Sequence, residues 1–257
     1  MSPQFDQAVE QYRQFAATLG MDKGASRTRL EIHVESLRDW SQVADLAAVK
    51  AWFLEKRRTC TMVVEDIPLH ECRQWSADPE TGWLRHESGE FFYVQGVRTR
   101  HSEFREAGKG WDQPMMTQVG YDGGILGIIR KRIGGVPHYL IEAKAEPGNY
   151  EKIQMSPTLQ ATFSNLKQAH KGRMPTFAEY FLSPSDHAGT VLYDQWMSED
   201  GGRLHLKRNK GMLIELSEDH AIEAPDNFFW MSMWQIKACL QENAWVNPHI
   251  RGIISHL

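Results

Sequence analysis

Three ionisable residues recur at every second position between His138 and Glu146: Glu142, Lys144 and Glu146. Side chains of a strand alternate between its two faces. An extended backbone therefore lines these three up with His138 and Leu140, while Tyr139, Ile141, Ala143 and Ala145 face the other way. Such a row can be a solvated strand face of alternating charge, or the polar floor of a cleft. In a cleft, a carboxylate can remove a proton next to a carbonyl, and an ammonium can stabilise the enolate that results.

The next residues add polar groups. Pro147-Gly148-Asn149 predicts a turn. Ser156 as a cap and Pro157 at the first helical position predict a helix over 157–170. Leu159, Phe163 and Leu166 form its apolar stripe, and Gly172 lies beyond its end. Free amides at its N-terminus would suit an anion such as a diphosphate, as at any helix start. Thr158, Gln160, Ser164 and Asn165 make this stretch rich in short polar side chains. His170 could be an acid or base, or a cation at a helix C-terminus. Trp111-Asp112-Gln113-Pro114 follows two glycines and reads as a loop. Trp111 there could stack on a base or seal the core, and Asp112 could be a base or a turn cap.

Other elements must hold these groups in place. Phe5, Val9, Tyr12, Phe15 and Leu19 recur at helical spacing over 4–19, with Gly20 to end the helix. Residues 21–29 read as a linker, so 1–29 is set apart from one module over 30–257. A second helical pattern runs from Ser36 to Arg57, with Leu37, Trp40, Val43, Ala47 and Leu54 on one stripe. Strand patterns follow at Thr61–Val64 and Phe91–Thr99, the latter with a bulge expected at Gly96. Ile125–Ile133 and Val136–Ala145 flank Gly134-Gly135, a hairpin signal. Leu204–Lys207 and Met212–Leu216 flank Asn209-Lys210-Gly211 and predict another hairpin. Helices return near 175–182 and 233–242. Strands and helices without regular alternation favour α+β architecture, a mixed β-sheet packed against helices.

Bulk properties narrow the function. The chain has 257 residues, enough for one sizeable core, and a formal charge of −4, which argues against nucleic-acid or anionic-membrane binding. The basic runs Arg57-Arg58, Arg130-Lys131-Arg132 and Lys207-Arg208 read as solvated element ends. Three cysteines, at 60, 72 and 239, fit neither a zinc site nor a disulfide framework and suit a reducing cytoplasm. The N-terminus is polar without a signal-peptide pattern, and apolar runs are too short to span a membrane. There is no phosphate-binding loop, dinucleotide fingerprint, Gly-x-Ser-x-Gly or metal spacing. An enzyme of this sequence would run on acid and base side chains, with no metal or cofactor.

The runs WDQP (111–114), GILG (124–127), AKAEPGN (143–149), QMSPTLQAT (154–162) and SN (164–165) resemble the NDP-hexose 2,3-dehydratases. SGEFF (88–92), KRN (207–209) and the pattern from Trp230 to Asn247 extend the resemblance over nearly all of the chain from about residue 30. The resemblance implies a fold similar to Nudix hydrolases, without the hydrolase signature or its metal. It implies a TDP-linked 4-keto-6-deoxyhexose substrate in deoxysugar biosynthesis and loss of water across C2 and C3. A partner reductase then acts at C3. In that reading Lys144 and Glu146 are the catalytic pair. Trp111, Gln113, Glu142, Gln154, Ser156, Thr158, Gln160, Asn165, Lys207 and Arg208 are the binding candidates. Family members carry two such modules in tandem, so a single module is expected to form a homodimer. Glu142 stands where the family has Gln, Leu166 where it has Tyr, and the tail NPHIRG (247–252) departs from its pattern. An inert nucleotide-sugar binding module, or a lyase or isomerase on another activated substrate, are the competing readings.

Overall fold

The structure is a computed structural model that describes residues 2–21, 26–101, 103, 106, 108–167 and 173–257. Three helices come first: α1 (Pro3–Thr18), α2 (Arg27–Glu35) and α3 (Leu46–Thr59). α1 ends as its glycine suggests, with Gly20 at φ 69° and the amides of Gly20 and Met21 returning to Ala17 and Ala16. Its Phe5 and Val9 pack on Leu30, Val34, Trp40 and Val136, whereas Phe15 and Leu19 stay exposed.

Two expectations change here. The segment read as a linker ends early, because Ser26 caps α2 and accepts from the Arg29 amide. The helix expected from Ser36 begins only at Leu46. Ser41 draws the Val43 and Ala44 amides onto its hydroxyl, and Asp45 caps α3 through the Ala48 amide. Such side-chain bonds compete with helix. The buried stripe is then Val49 and Phe53, and Leu37, Val43 and Leu54 are exposed. Thr61–Val64 forms no strand.

A small antiparallel sheet follows, in the order β1 (Trp75–Ala77), β2 (Leu84–His86), β3 (Phe92–Thr99), β4 (Trp111–Gln118). WDQP thus opens a strand, because its backbone pairs with β3 from Thr99↔Trp111 onward. Gly96 faces Pro114 in unbroken register, so no bulge forms there.

The main sheet is mixed. It contains β5 (Gly124–Ile133), β6 (Val136–Ala145), β7 (Ile153–Ser156), β8 (Leu159–Thr162), β9 (Gly189–Ser198), β10 (Arg208–Leu216) and β11 (Phe228–Met231). The order is β11-β6-β5-β10-β9, with β7 on β6 and β8 on β5; only β10 and β5 run parallel. The hairpin at Gly134-Gly135 forms as expected, both glycines having positive φ. The second hairpin does not form. Residues 208–216 instead make one strand that pairs with β9 and β5.

The helix expected over 157–170 is also replaced. β5 and β6 pair only as far as Ile129↔Leu140, then part. Their freed edges need partners. Ile153–Ser156 pairs with Glu142–Ala145, and Leu159–Thr162 pairs with Gly124–Gly127. Among the described residues of that span only Phe163–Leu166 is helical, as α4, with Thr162 as its cap. Ser156 is therefore the end of a strand, and the anion site imagined at this helix start does not exist. His170 and Gly172 lie outside the described residues. The remaining helices are α5 (Ala178–Leu182), α6 (Met233–Cys239) and α7 (Pro248–Ile254).

Thr158 stands in the fork. Its hydroxyl donates to the Leu140 carbonyl and accepts from the Ile129 amide at 2.9 Å. It satisfies the two backbone groups on the last shared rung. The next rung, Arg130↔Tyr139, is held by a buried ion cluster. Arg130 is fully buried, against the expectation of a solvated run. It binds Glu31 at 2.9 Å, Glu35 at 2.7 Å and Glu215, while Tyr139 donates to Glu35 at 2.7 Å. Burial opposes the Arg130 charge, but the neighbouring Tyr139, Glu35 and Glu215 outweigh it and hold the guanidinium protonated. The clusters Ile128/Tyr139/Ile141 and Ile129/Leu140/Leu159 form the cores on the two sheet faces.

Replacing Thr158 by Val should remove both fork bonds and destabilise the protein by roughly 1–3 kcal/mol. Thr158→Ser should retain most of that stability. Urea unfolding measures both, and a Val variant as stable as the parent would refute the wedge role.

Candidate active site

Beyond the fork the strands leave a recess. Two adjoining clefts occupy it, of about 670 and 630 Å³. Gln160 of β8 lines both, so they meet at its side chain. Glu142, Lys144 and Thr158 line one, and Glu146, Asn165 and Lys207 the other. Six of the expected site residues, with Gln160 a seventh, are brought together by this arrangement.

On the first side, the Lys144 ammonium lies 3.3 Å from the Glu142 carboxylate. Burial pushes the Glu142 carboxyl above the usual range, with Glu146 adding to the effect and Lys144 opposing it. Asn227 donates to the same carboxylate at 3.3 Å. On the second side, the Gln160 amide donates to Glu146 at 3.4 Å. The Gln160 carbonyl is held by the Ser156 hydroxyl at 2.9 Å and the Asn247 amide at 3.2 Å. Asn247 also donates to Ser156 at 3.0 Å, and its own carbonyl caps α7 through the Ile250 amide. Ser156 is buried behind Gln160 and acts by orienting it.

Opposite Glu146 stand Lys207 and His249. Lys207 donates to Gln118, whose amide is in turn anchored on the Gly123 carbonyl. Burial pulls the Lys207 ammonium down to about 8, with Glu199 opposing. Burial also lowers His249, with Lys207 adding to the shift and Glu199 and Glu146 opposing. Glu199 lies 3.7 Å from His249 and accepts from Asn209. The cleft thus pairs a carboxylate with two nitrogen acids whose protons are held loosely.

Other candidates lie elsewhere. Trp111 donates to Gln113 at 2.7 Å, and Gln113 to the Gly202 carbonyl, on the small sheet outside both clefts. Asp112 is exposed and paired with Arg98. Gln154 donates to the Ala244 carbonyl and lines neither cleft. Arg208 is exposed, its guanidinium 4.5 Å from the Trp196 ring.

His249, Asn209, Glu199, Phe92 and Asn247 were not among the candidates. Asn247-Pro248 carried a helix-start signal as good as that of Ser156-Pro157, and it places His249 in the first turn of α7. Phe92 closes the SGEFF run that matches the family, whereas nothing in the local sequence marks Glu199; both reach the site from distant elements. Among the described residues no group of three or more His, Cys, Asp or Glu is placed to hold a metal ion, and no helix is long and apolar enough to cross a membrane.

Fold and cleft together define the class: an α+β protein whose mixed sheet splits to expose acid and base side chains. A family model described as NDP-hexose 2,3-dehydratase matches residues 46–257, and the chain belongs to that family. It is 36% identical over 217 residues to a dTDP-4-dehydro-6-deoxy-α-D-glucopyranose 2,3-dehydratase of Streptomyces violaceoruber, covering 84% of this chain and 47% of that one. It is 37% identical over 204 residues to the enzyme of the same name from Saccharopolyspora spinosa, covering 79% and 40%. The chain spans about half the length of the curated relatives it matches. Among solved structures it resembles the Ap4A hydrolase of C. elegans, at 12% identity and a TM-score of 0.30, covering 51% of this chain and 91% of that one. It also resembles a Nudix hydrolase from M. smegmatis, at 13% and 0.33, covering 62% and 92%. Scores this low carry no conclusion about the chain.

Lys207 should titrate near pH 8, below the ordinary lysine value. Because the Glu199 charge favours the ammonium, Glu199→Gln should lower that midpoint further. NMR of ¹⁵N-labelled lysines follows both, and a Lys207 midpoint near 10.4, the ordinary lysine value, would contradict the buried setting.

Proposed function

We propose that this protein removes water across C2 and C3 of a TDP-linked 4-keto-6-deoxyhexose, without a metal or redox cofactor. The observation that carries the reading is that Gln160 joins two clefts, one lined by Lys144 and the other by Glu146 and Lys207, in a chain belonging to this family. The names of its relatives support the substrate.

The chemistry follows from the side chains. The C4 carbonyl acidifies the C3 proton, and Glu146 removes it. The Lys144 ammonium stabilises the C4 enolate that forms. As the enolate collapses, the C2–O bond breaks and Lys207 supplies a proton, so that water departs. An ammonium that titrates near 8 can give up its proton at neutral pH. The enol product then tautomerises to a 3,4-diketo sugar, for reduction at C3 by a separate ketoreductase. Gln160 and Asn165 hold sugar hydroxyls, and Glu142 keeps Lys144 in place. We further propose a second copy of the chain as its partner.

Incubation with TDP-4-keto-6-deoxyglucose should give loss of one water by mass spectrometry. Lys144→Met and Glu146→Gln should each lower turnover by roughly 10²-fold or more. If both retain wild-type turnover, the assignment is wrong. Binding of the substrate without water loss would favour an inert module.

The pH profile gives an independent check. Lys207 acts protonated, so kcat should fall as pH rises through about 8. Lys207→Arg should be slow and lack that limb. A limb near 8 that persists in Lys207→Arg would remove Lys207 as the acid.

A further inference from the structure

Loss of water leaves the protons of the cleft misplaced. Glu146 then holds the proton from C3, and Lys207 is a neutral amine. The sugar is an enol that still carries its C3 hydroxyl proton. To become a ketone, it must lose that proton and gain one at C2. Glu146 can return its proton to C2. A base is still needed at the C3 hydroxyl, and the proton it takes must end on Lys207.

His249 stands where such a base is required. It lines the Glu146 cleft beside Lys207 and Asn209. Its Nδ1 lies 3.7 Å from the Glu199 carboxylate, which is itself held by the Asn209 amide. That negative charge favours the tautomer with its proton on Nδ1, which leaves the Nε2 lone pair as the base. Burial lowers His249 below the ordinary histidine range, with Glu199 and Glu146 opposing and Lys207 assisting, so the ring is neutral at neutral pH. Its place is fixed from the backbone. The Asn247 carbonyl caps α7 through the Ile250 amide, and the Asn247 amide reaches Gln160, the partner of Glu146. One side chain therefore sets His249 and Glu146 relative to each other. The other bases are committed. Glu142 lines the neighbouring cleft and is paired with Lys144. Lys207 is tethered to Gln118, which is anchored on the Gly123 carbonyl, so an amine that has just served C2 is not free to swing to the C3 hydroxyl.

We propose that His249, backed by Glu199, is the base that turns the enol into the diketone before the sugar leaves the cleft. This rests on the reading of that cleft as the site of dehydration. His249 Nε2 takes the C3 hydroxyl proton, and the oxygen electron pair forms the C3 carbonyl. The electron pair of the C2–C3 double bond takes the Glu146 proton, forming the new C–H bond at C2. The imidazolium then passes its proton to the Lys207 amine. Glu146 ends as a carboxylate, Lys207 as an ammonium and His249 neutral, so every group is restored for the next turnover. Because Glu146 delivers from one side, the proton reaches a single face of C2.

TDP-4-keto-6-deoxyglucose carrying deuterium at C2 tests this in ordinary water. o-Phenylenediamine present throughout traps the vicinal diketone as it forms, and NMR reads the configuration of the resulting CHD carbon. The parent protein should give one configuration in roughly tenfold excess or more. His249→Ala, checked for folding by circular dichroism, should lose that excess, because its enol escapes and is protonated in solution from both faces. Added imidazole should restore the excess in His249→Ala. A variant that keeps the parent's single configuration would overturn the role of His249. A loss that imidazole fails to restore would mark a structural role and overturn it as well. Water loss separates the two readings. A parent that releases water but gives both configurations leaves the dehydratase standing and removes His249. A parent that releases no water removes the dehydration and, since no enol forms, His249 with it.

Discussion

Everything in the site depends on the place where β5 and β6 stop pairing. A hairpin left alone would continue its ladder to the ends of both strands. Here the Thr158 hydroxyl takes the Leu140 carbonyl and offers itself to the Ile129 amide. A side chain thus replaces a rung, and the two strands can separate without leaving buried backbone groups unpaired. The space between them is filled by two short strands from one continuous segment, which brings Gln160 into the gap. Without the fork, Glu142, Lys144 and Glu146 would be a row on a flat sheet.

The rung behind the wedge explains why the fork keeps its position. Arg130 meets three carboxylates, from two elements besides its own. Two of them, Glu31 and Glu35, belong to α2, and Glu215 belongs to β10. Removing one partner from such a cluster leaves an uncompensated buried charge, so α2 and the sheet are tied at that rung. Glu35 sits deepest, and burial raises its carboxyl above the usual range despite Arg130 and Tyr139. Rigid on one side and open on the other, the hairpin can carry a polar cleft at no loss to the core.

The cleft itself is a set of unequal environments. Glu146 is approached by a neutral amide, Lys144 is held by a carboxylate, and Lys207 is desolvated until its proton is held loosely. Acid and base roles separate when neighbouring titratable groups are given different surroundings. That separation comes from distant parts of the chain: β6, β8, the approach to β10, and α7.

Some of this was already determined by local sequence. The Gly134-Gly135 hairpin is dictated by two positive φ angles that glycine meets without strain, and the alternation of His138 to Glu146 by the two-residue period of a strand. The motifs AKAEPGN and QMSPTLQAT were enough to identify the family. Tertiary structure decided the rest, because it concerns partners far apart in the chain. Ser156-Pro157 looks like a helix start, yet the freed edges of β5 and β6 claim its flanks as strands, since unpaired strand edges outweigh a local cap. Arg130 looks like a solvated cation, yet three carboxylates from elsewhere allow it to be buried. Lys207 and His249 acquire their character only from burial beside Glu199. Spacing along the chain could align the row that contains Lys144 and Glu146, but only the parting of two strands could turn that row into the wall of a cleft.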